Sequence, residues 1–439
     1  MDVVTIVGGG LAGCEAAWQL ADRGVRVRLI EMRPVDSTKA HRSDKLAEIV
    51  CSNSFKSTLP DTASGVLKTE LDTLGSRILR TARGAAVPAG HALAVDREAF
   101  SNAVTRAIES HPLITVERSR QDDLGLPYPA IVATGPLTAP ALSQAIEGHV
   151  SGSHLYFYDA IAPSIDAESV DTAVVYRASR YGKGEADYLN IPFTGEQYDR
   201  LIERIREADL VSAHGFEDAS YFEACLPIEV MVSRGKDTAR FGPMRPRGLV
   251  DPRTGKEPHA VVQLRQESAS GNLLGLVGFQ TRMTYAAQTE VIRSMPGLGE
   301  AKILRFGSIH RNMFLDLPAV CTPYQRDRKA PGLYYAGQIC GVEGYVECVA
   351  SGLVAALSIF CELEGAAFPP LPPETMLGSL MNHIHTPSDN FQPMNANMGI
   401  LPGLPRRVRG RKARYLEASR RAVGAIERYV QERADLFDR

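Results

Sequence analysis

The chain has 439 residues, which exceeds one typical hydrophobic core, so we expect two domains. Its 49 Lys and Arg residues nearly balance 51 Asp and Glu residues, which excludes a polyanion- or membrane-binding role carried by overall charge. The chain opens on an apolar strand instead of a leader peptide, and its seven cysteines form no C-x-x-C pair. The longest apolar run, from Val346 to Phe360, is interrupted by Glu347 and is too short to span a bilayer. These features predict a protein of the reducing cytoplasm with no disulfides and no membrane partner.

A dinucleotide-binding fingerprint is predicted at the start of the chain. A strand over residues 3–7 leads into a G-x-G-x-x-G turn, and a helix begins inside that turn. The first glycine permits the tight turn, the second lets the backbone approach the phosphates, and the third allows close helix–strand packing. A second strand ends on Glu31, about twenty residues further on, where an acid reaches a ribose hydroxyl. The turn residues assigned to the cofactor are Gly8, Gly9, Gly10, Leu11, Ala12 and Gly13.

Later segments are typical of the missing pieces of a discontinuous FAD domain. The apolar run 129–136 closes on Ala-Thr-Gly, and the run 332–338 is another strand that ends on a glycine. The second run leads into an apolar helix reaching about Leu363, whose N-terminus would face a flavin pyrimidine ring and stabilise negative charge there. Together these segments favour FAD over NAD, although Gln338 stands where related flavoproteins often carry an aspartate. The predicted cofactor contacts here are Thr134, Gly135, Gly337, Gln338, Glu343, Gly344 and Tyr345.

The stretch 151–305 does not follow the Rossmann rhythm, because it has isolated strands and Pro/Gly clusters. We therefore predict an α/β protein of the glutathione-reductase type. Its discontinuous FAD-binding Rossmann domain is formed by residues 1–150 and 306–439, and an inserted α+β domain, 151–305, covers the flavin. The alternative is a second Rossmann unit for NAD(P)H, but a second G-x-G-x-x-G is missing there, so a nicotinamide would bind transiently at the flavin face.

Four further segments, together with those above, carry a family resemblance. They are residues 49–55, 223–229, 277–281 and 391–397. From Val3 to about Pro405 the sequence resembles the TrmFO family of folate- and FAD-dependent tRNA (uracil-C5) methyltransferases. The fingerprint and the Gly-Phe-Gln-Thr segment are also similar to the larger flavoprotein MnmG (GidA), which carries a long C-terminal helical domain. The length and the contexts of Cys51 and Cys225 favour TrmFO.

The resemblance implies methylation of the T-loop uridine of tRNA. 5,10-Methylenetetrahydrofolate would supply the carbon, and FAD reduced by NAD(P)H would supply the reducing equivalents. Uracil C5 is a poor nucleophile, and addition of a thiolate at C6 converts the base into an enolate that can attack an electrophilic methylene. By the family pattern Cys225 is that nucleophile, Cys51 lies near flavin N5, and Tyr345 stacks on the pterin or the flavin.

The other five cysteines are interpreted as small core residues, with Cys340 the one that could lie near the flavin. His383 and His385 suggest a metal site, but no acid or cysteine cluster accompanies them in the sequence, so we predict none. The core cysteines are Cys14, Cys321, Cys340, Cys348 and Cys361.

A basic segment, residues 406–421, follows Gly403-Leu404-Pro405 and is predicted to begin a helix. It carries eight basic residues against the single acid Glu417, so its self-repulsion favours contact with RNA phosphates over a merely solvated face. Because phosphate contacts only position the RNA, the target base would have to be flipped out of its stack to reach a flavin. Two alternatives stay open: the same chemistry on a ribosomal RNA uridine, and a non-catalytic flavin-binding RNA chaperone with inert cysteines. The predicted RNA contacts are Arg406, Arg407, Arg409, Arg411, Lys412 and Arg414.

Overall fold

The computed structural model of the protein describes residues 3–38, 40–152, 154–182, 185–211, 226–388 and 391–437. Cys225, the predicted nucleophile, lies outside these residues. The larger of the two main hydrophobic cores combines residues from both ends of the chain, and the smaller of these two comes from the middle; a third, minor cluster consists of Val87, Ala89 and Ala94.

The larger core surrounds a five-stranded parallel sheet. Val7 of the first strand pairs with Ile30 on one side and with Val132 on the other, so the carboxyl ends of the three central strands meet at one edge. Parallel strands covered on both faces are expected to be apolar runs, as these are. In spatial order the strands are β16 (Leu333–Tyr335), β7 (Ala130–Val132), β1 (Val3–Val7), β2 (Arg26–Glu31) and β6 (Ile114–Arg118).

Helices cover this sheet, and a small antiparallel sheet lies beside it. The small sheet has the order β3 (Ser54–Ser57), β5 (Ala92–Val95) and β4 (Ala86–Val87). The helices are α1 (Leu11–Ala21), α2 (Ala63–Thr73), α3 (Arg77–Gly84), α4 (Arg97–Glu109), α5 (Pro140–Val150), α10 (Leu317–Val320), α11 (Tyr345–Leu363), α12 (Met376–His385), α13 (Arg411–Glu432) and α14 (Ala434–Phe437). Two of them, α1 and α11, pack very closely, because a Cβ on Gly352 would lie 2.2 Å from the Ala12 carbonyl oxygen.

The smaller core belongs to a six-stranded antiparallel sheet with helices beside it, which is an α+β arrangement. Its strands, in spatial order, are β10 (Tyr176–Arg177), β11 (Tyr188–Phe193), β12 (Ala260–Gln266), β13 (Leu273–Leu276), β9 (Ser164–Asp166) and β14 (Ile303–Arg305). Its helices are α6 (Gly195–Glu207), α7 (Ile228–Arg234), α8 (Thr238–Phe241) and α9 (Tyr285–Arg293).

An antiparallel ribbon connects the two parts. It consists of β8 (His154–Ile161) and β15 (Ser308–Leu315), with Ile161 paired to Ser308 at the inserted end. The chain therefore enters and leaves the inserted sheet along adjacent strands. This arrangement supports the domain division that we propose, with boundaries near residues 151 and 305.

One sequence prediction about a helix was wrong. The C-terminal helix begins at Arg411, after Gly410 with a left-handed φ of 85°, so Arg406, Arg407 and Arg409 precede it in a loop. The predicted apolar helix is α11, which is 19 residues long and ends at Leu363 as expected; by length and composition alone it could cross a membrane. However, 78% of its most apolar window is buried inside the protein, which explains its composition without a bilayer.

The two histidines considered as metal ligands lie in the last turn of α12. The His385 ring is hydrogen-bonded at both nitrogens, with Nδ1 2.7 Å from the Met381 carbonyl oxygen and Nε2 3.1 Å from the Gln325 amide nitrogen. Within the described ranges, His, Cys, Asp and Glu side chains form no group of three that could hold a metal ion.

Candidate active site

The glycine turn after β1 has the geometry that the fingerprint predicts. Gly8 has a φ of 108°, and a Cβ there would lie 2.5 Å from the Ala133 carbonyl oxygen. A Cβ on Gly13 would lie 1.9 Å from the Gly8 carbonyl oxygen, so α1 can approach the strand only with glycine at this position. A Cβ on Gly10 would instead meet no described atom within 4 Å, because it would point into a cavity. The N-terminus of α1 thus faces a space in which an anion would be stabilised.

Glu31, at the end of β2, lies directly beside this turn. Its carboxylate accepts hydrogen bonds from the Gly9 amide at 2.8 Å and from Arg33 Nε at 2.8 Å. Burial opposes ionisation of Glu31, but hydrogen bonds and charge from Arg33 outweigh it and lower the pKa of the carboxyl. A fixed, ionised carboxylate at this position is suited to accept hydrogen bonds from a ribose.

We call the space at this turn the nucleotide cavity, which has a volume of about 170 Å³. It brings together most of the residues predicted to bind the cofactor. These are Gly8, Gly9, Gly10, Leu11, Ala12, Glu31, Thr134, Gly135, Gly337, Gln338 and Tyr345. Gly13 does not line the cavity, because it lies against the Gly8 backbone beneath the turn. The glycine-lined cradle, the free helix end and the fixed acid fit an FAD-type dinucleotide.

A second cavity of about 310 Å³ adjoins the first and lies between the two domains; we call it the interdomain cavity. The predicted residues Glu343 and Gly344 line this cavity and not the nucleotide cavity, and so does Cys51. Residues that line both cavities are Val50, Pro136, Leu137, Gln338, Tyr345 and Cys348. The inserted domain contributes Arg265, Glu267, Leu276, Val277, Gly278 and Gln280, so the Gly-Phe-Gln-Thr segment is part of the site.

Tyr345, the first residue of α11, fixes the loop that carries Cys51. Its hydroxyl oxygen accepts hydrogen bonds from the amides of Cys51 at 2.9 Å and Ser52 at 3.1 Å, and the hydroxyl donates to the Ser52 carbonyl at 3.0 Å. Burial raises the pKa of Tyr345, so the hydroxyl stays protonated and can donate. Its ring lies 5.5 Å from that of Phe55 and contributes to both cavities. Its stacking on the flavin or the pterin remains a proposal.

The cysteine that sequence reasoning missed is Cys348. It lies one helical turn after Tyr345 and lines both cavities, whereas Cys340 is fully buried with its Sγ 3.7 Å from Gln325 Nε2. The i to i+3 spacing from Tyr345 was the signal that could have found it. Burial, with the charges of Glu343 and Glu347, raises the pKa of Cys348 well above its usual value, so it is a thiol.

Gln338 lines both cavities, and the nitrogen of its side-chain amide already has a hydrogen-bond partner. Its Nε2 donates to Glu343 Oε2 at 2.5 Å. The segment 391–397 supports the same loop, because the Glu343 amide donates to the Met394 carbonyl at 2.9 Å and the Ala396 amide donates to Glu347 Oε1 at 3.0 Å. The loop before α11 and the first turn of α11 are therefore both held by a segment about fifty residues later in the chain.

The basic segment forms a separate concave site of about 390 Å³ at the loop before α13. Arginines dominate its lining, and Arg421 holds the loop by donating to the Gly403 carbonyl at 2.8 Å. Arg411 and Lys412, at the start of α13, are exposed beside it. The lining residues are Leu404, Arg406, Arg407, Val408, Arg409, Gly410 and Arg414.

Comparison with known proteins agrees with this geometry. A family model described as glucose inhibited division protein A (GidA) matches residues 3–367. The methylenetetrahydrofolate–tRNA-(uracil-5-)-methyltransferase TrmFO of Shouchella clausii is 49% identical over 430 residues, which cover 98% of each chain. The chain belongs to the TrmFO group of the GidA family.

Other TrmFO proteins are equally similar. That of Heliobacterium modesticaldum is 48% identical over 430 residues, or 98% of each chain, and that of Staphylococcus carnosus is 48% identical over 431 residues, or 98% of this chain and 99% of that one. GidA of Aquifex aeolicus has the same fold, with a TM-score of 0.71 at 17% identity over 99% of this chain and 75% of that chain. The resemblance stated from sequence motifs and the expected FAD-binding Rossmann-type fold class are both confirmed.

Proposed function

We propose that this chain is a methylenetetrahydrofolate–tRNA-(uracil-5-)-methyltransferase, the activity in the names of its TrmFO relatives. It methylates C5 of the T-loop uridine of tRNA, with FAD as its cofactor, 5,10-methylenetetrahydrofolate as carbon donor and NAD(P)H as reductant. The observation that carries the proposal is the junction of the two cavities: the nucleotide cavity continues into a cavity lined by Cys51 and by residues of both domains.

The nucleotide cavity is where this chain would bind FAD, and each part of the dinucleotide has a candidate partner. Glu31 would accept from the ribose, the Gly8–Gly13 turn would cradle the pyrophosphate, and the N-terminus of α11 at Tyr345 would face the flavin ring. When bound, FAD and the folate supply the one-carbon unit and the reducing equivalents for its conversion to a methyl group. The chain's own task is to exclude water, orient the uracil and activate C5.

Activation of C5 is assigned to Cys225. Its thiolate adds to C6 of the uracil, C5 then gains the carbon, and loss of the C5 proton releases the thiolate. Three residues later, the Ile228 amide donates to the Gln280 carbonyl at 2.7 Å, and Gln280 lines the interdomain cavity. This bond ties the segment that follows Cys225 to the wall of the proposed uracil site and supports the assignment. Cys51, which also lines the interdomain cavity, would handle the methylene or the proton.

The basic segment would bind the RNA. Guanidinium groups of Arg406, Arg407, Arg409 and Arg414 surround one concave site, whose size and charge suit phosphate groups. Contacts of this kind position an RNA without reading its sequence, so the target uridine must be selected by loop shape and by extrusion of the base into the interdomain cavity.

The decisive experiment supplies purified enzyme with an unmodified tRNA transcript, methylenetetrahydrofolate and NADH, and measures 5-methyluridine after digestion. We expect the modified base only when all three components are present. A ribosomal RNA fragment tests the alternative substrate in parallel. Tight binding of tRNA and FAD with no 5-methyluridine under any condition would instead support the chaperone alternative. The same assay with NADPH compares the two reductants.

For the compartment we propose the reducing cytoplasm that the cysteine pattern predicts.

A further inference from the structure

The main-chain carbonyl of Cys51 is bonded by arginines from both domains. Arg305, at the end of β14 in the inserted domain, donates from Nη2 to this oxygen at 2.8 Å. Arg97, at the start of α4, donates from Nη2 to the same oxygen at 3.3 Å and from Nη1 to the Ile49 carbonyl at 2.6 Å. One backbone oxygen beside a proposed functional thiol is therefore a point at which the two domains meet.

A buried carboxylate completes this contact. Glu267, which follows β12, lies 3.2 Å from Arg97 Nη2 and accepts from Ser164 Oγ at 2.8 Å. Burial opposes ionisation of Glu267, but Arg97, Arg305 and Arg265 together lower its pKa. The inserted domain thus contributes both a cation and an anion to the surroundings of Cys51.

The same loop has a second interdomain contact at Asn53, which is fully buried. Its amide nitrogen donates to the Val95 carbonyl in the larger domain and to the Gln266 carbonyl in the inserted domain, each at 3.0 Å. Arg265 Nε donates to the Asn53 side-chain oxygen at 2.9 Å. The loop that carries Cys51 is thus fixed partly within the larger domain, by Tyr345 and Arg97, and partly by bonds from Arg305, Arg265 and Gln266 that exist only when the domains are docked.

These contacts are poor candidates for simple stabilisers. In the described part of the chain, the buried Nε atoms of Arg97 and Arg305 have no hydrogen-bond partner. Buried ion clusters with unsatisfied donors often contribute less stability than apolar packing of the same volume, because desolvation of the charges is costly. A role in geometry therefore accounts for this cluster better than a role in stability.

We propose that Arg305 is a positioning residue for Cys51, which fixes the Cys51 carbonyl and thereby aligns the thiol only when the inserted domain is seated on the FAD-binding domain. The proposal rests on the functional role proposed for Cys51. It assigns to the inserted domain a part in catalysis besides covering the flavin. Closure of the interdomain cavity and alignment of Cys51 become one event.

The test is Arg305→Met in the holoenzyme. We expect kcat for tRNA methylation to fall roughly 10²-fold, as for a small misplacement of a reacting group, with KM for tRNA and the FAD content unchanged. Alkylation of Cys51 by iodoacetamide is followed peptide by peptide with mass spectrometry across pH and compared at its high-pH plateau, where the lost charge no longer changes the thiolate fraction. It should become several-fold faster there, while alkylation of Cys348 should stay unchanged. Arg305→Lys keeps a cation and one donor and should restore part of kcat.

The matched control is Arg293→Met, which removes another guanidinium–carbonyl bond of the inserted domain, from Arg293 Nε to Ala301 at 3.2 Å. It should leave kcat and Cys51 alkylation unchanged. Unchanged Cys51 alkylation in Arg305→Met would overturn the proposal, and so would faster alkylation of Cys51 and Cys348 alike with a lower unfolding temperature. If Arg305→Met does not fold, Arg305→Gln, which also lacks the guanidinium cation but keeps a polar end, is judged by the same criterion. The alkylation readout needs no methyl transfer, so failure of the proposed function is recognised separately.

Discussion

The nucleotide cavity and the interdomain cavity share lining residues, but they differ in which groups line them and in how many domains supply those groups. The nucleotide cavity is lined by residues of one domain, and at the β1–α1 turn it is lined by backbone, at glycines whose missing Cβ atoms leave space or permit close packing. The interdomain cavity is lined by side chains from both domains, among them Cys51, Lys56, Arg265, Glu267 and Glu343. A backbone-built site is already formed when its domain folds. A side-chain-built site between domains also depends on how the domains dock.

The substitution expected to affect the backbone-built site most is Gly10→Val, which should abolish FAD binding in the nucleotide cavity. Gly10 has a φ of −79°, which valine also adopts, and its Cβ would point into the nucleotide cavity without touching described atoms. The variant should therefore fold normally and lose essentially all bound FAD, because the side chain occupies the proposed pyrophosphate position. Flavin absorbance of the purified protein, together with circular dichroism, measures both.

Gly84→Val is the control for this substitution. Gly84 ends α3, and its Cβ would likewise meet no described atom within 4 Å, but it is remote from the cavity. It should retain full yellow colour. If Gly10→Val also retains it, the fingerprint does not bind the cofactor.

The side-chain-built half should break at Cys225. Cys225→Ala is expected to keep FAD and tRNA affinity and to lose methyl transfer by about 10³-fold or more, since no other group forms the C6 adduct. RNA containing 5-fluorouracil should trap the wild type covalently but not the variant. Cys361→Ala, a core substitution in α11, serves as the control and should be trapped normally. Near-normal turnover of Cys225→Ala would transfer the nucleophile's role to Cys51.

The same contrast explains how much the sequence could predict. The β1–α1 turn, Glu31 and the strands that flank them follow from local requirements, so Gly8, Gly13 and Glu31 were found without a structure. The contacts of the Cys51 carbonyl with Arg97 and Arg305 join residues 46 and 254 positions apart, and Glu267 lies 170 positions from its partner Arg97. No periodic pattern in the sequence predicts contacts of this kind. Cys348 was missed because a single cysteine in an apolar helix is normally interpreted as a buried core residue.

The boundaries of the basic segment were misjudged for another physical reason. Arginines have high helix propensity, which favoured a helix starting directly after Pro405. The structure instead has a loop that ends at Gly410, where a left-handed φ starts the helix late. Arg421 stabilises that loop from the middle of α13 by donating to the Gly403 carbonyl. This tertiary contact overrides the local preference and turns a row of arginines into a concave site.

Removing charge from this site tests how RNA reaches the interdomain cavity, with a smaller effect than the two variants above. A variant with Gln at four basic positions should bind tRNA more weakly and with a flatter salt dependence. Each lost phosphate contact lowers the slope of log affinity against log salt by about 0.7 for single-stranded and about 0.9 for duplex RNA regions. FAD content and flavin reduction by NAD(P)H should stay unchanged. The four positions are Arg406, Arg407, Arg409 and Arg411.

The control changes charge on a helix that also carries acids. Arg200, Arg204 and Arg206 are exposed on α6, and Arg200 pairs with Glu196 at 3.3 Å. Replacing these three with Gln should leave the salt dependence near that of the wild type. Superimposed salt dependences for the wild type and the four-residue variant would move RNA docking to the inserted domain around residues 240–253.

The smallest predicted effect concerns stability and lies outside both cavities. Glu70 is fully buried and accepts hydrogen bonds from the Met376 and Leu377 amides, both at 2.7 Å, at the start of α12. Burial raises the pKa of Glu70 to about 7. Because this pKa is higher in the folded protein than in the unfolded chain, the protonated carboxyl favours folding. That contribution is complete below pH about 4.5 and is lost as the pH rises through about 7.

Urea unfolding of the FAD-saturated protein between pH 4.5 and 8 measures this contribution. The free energy of unfolding of the wild type, relative to Glu70→Gln, should fall by roughly 3 kcal/mol over this range. A constant difference between the two proteins would mean that Glu70 does not titrate in this range.

Because β8 and β15 are adjacent paired strands, the chain enters and leaves the inserted domain at nearly the same place. Ile161 and Ser308 are paired neighbours, so the two ends left by excising the intervening residues lie next to each other. A tight turn could join them without threading the chain through the parallel sheet. Excising residues 162–307 would therefore remove no residue that lines the nucleotide cavity. For the experimenter, the same geometry offers a hairpin-closed minimal flavodomain in which cofactor binding is studied apart from RNA chemistry.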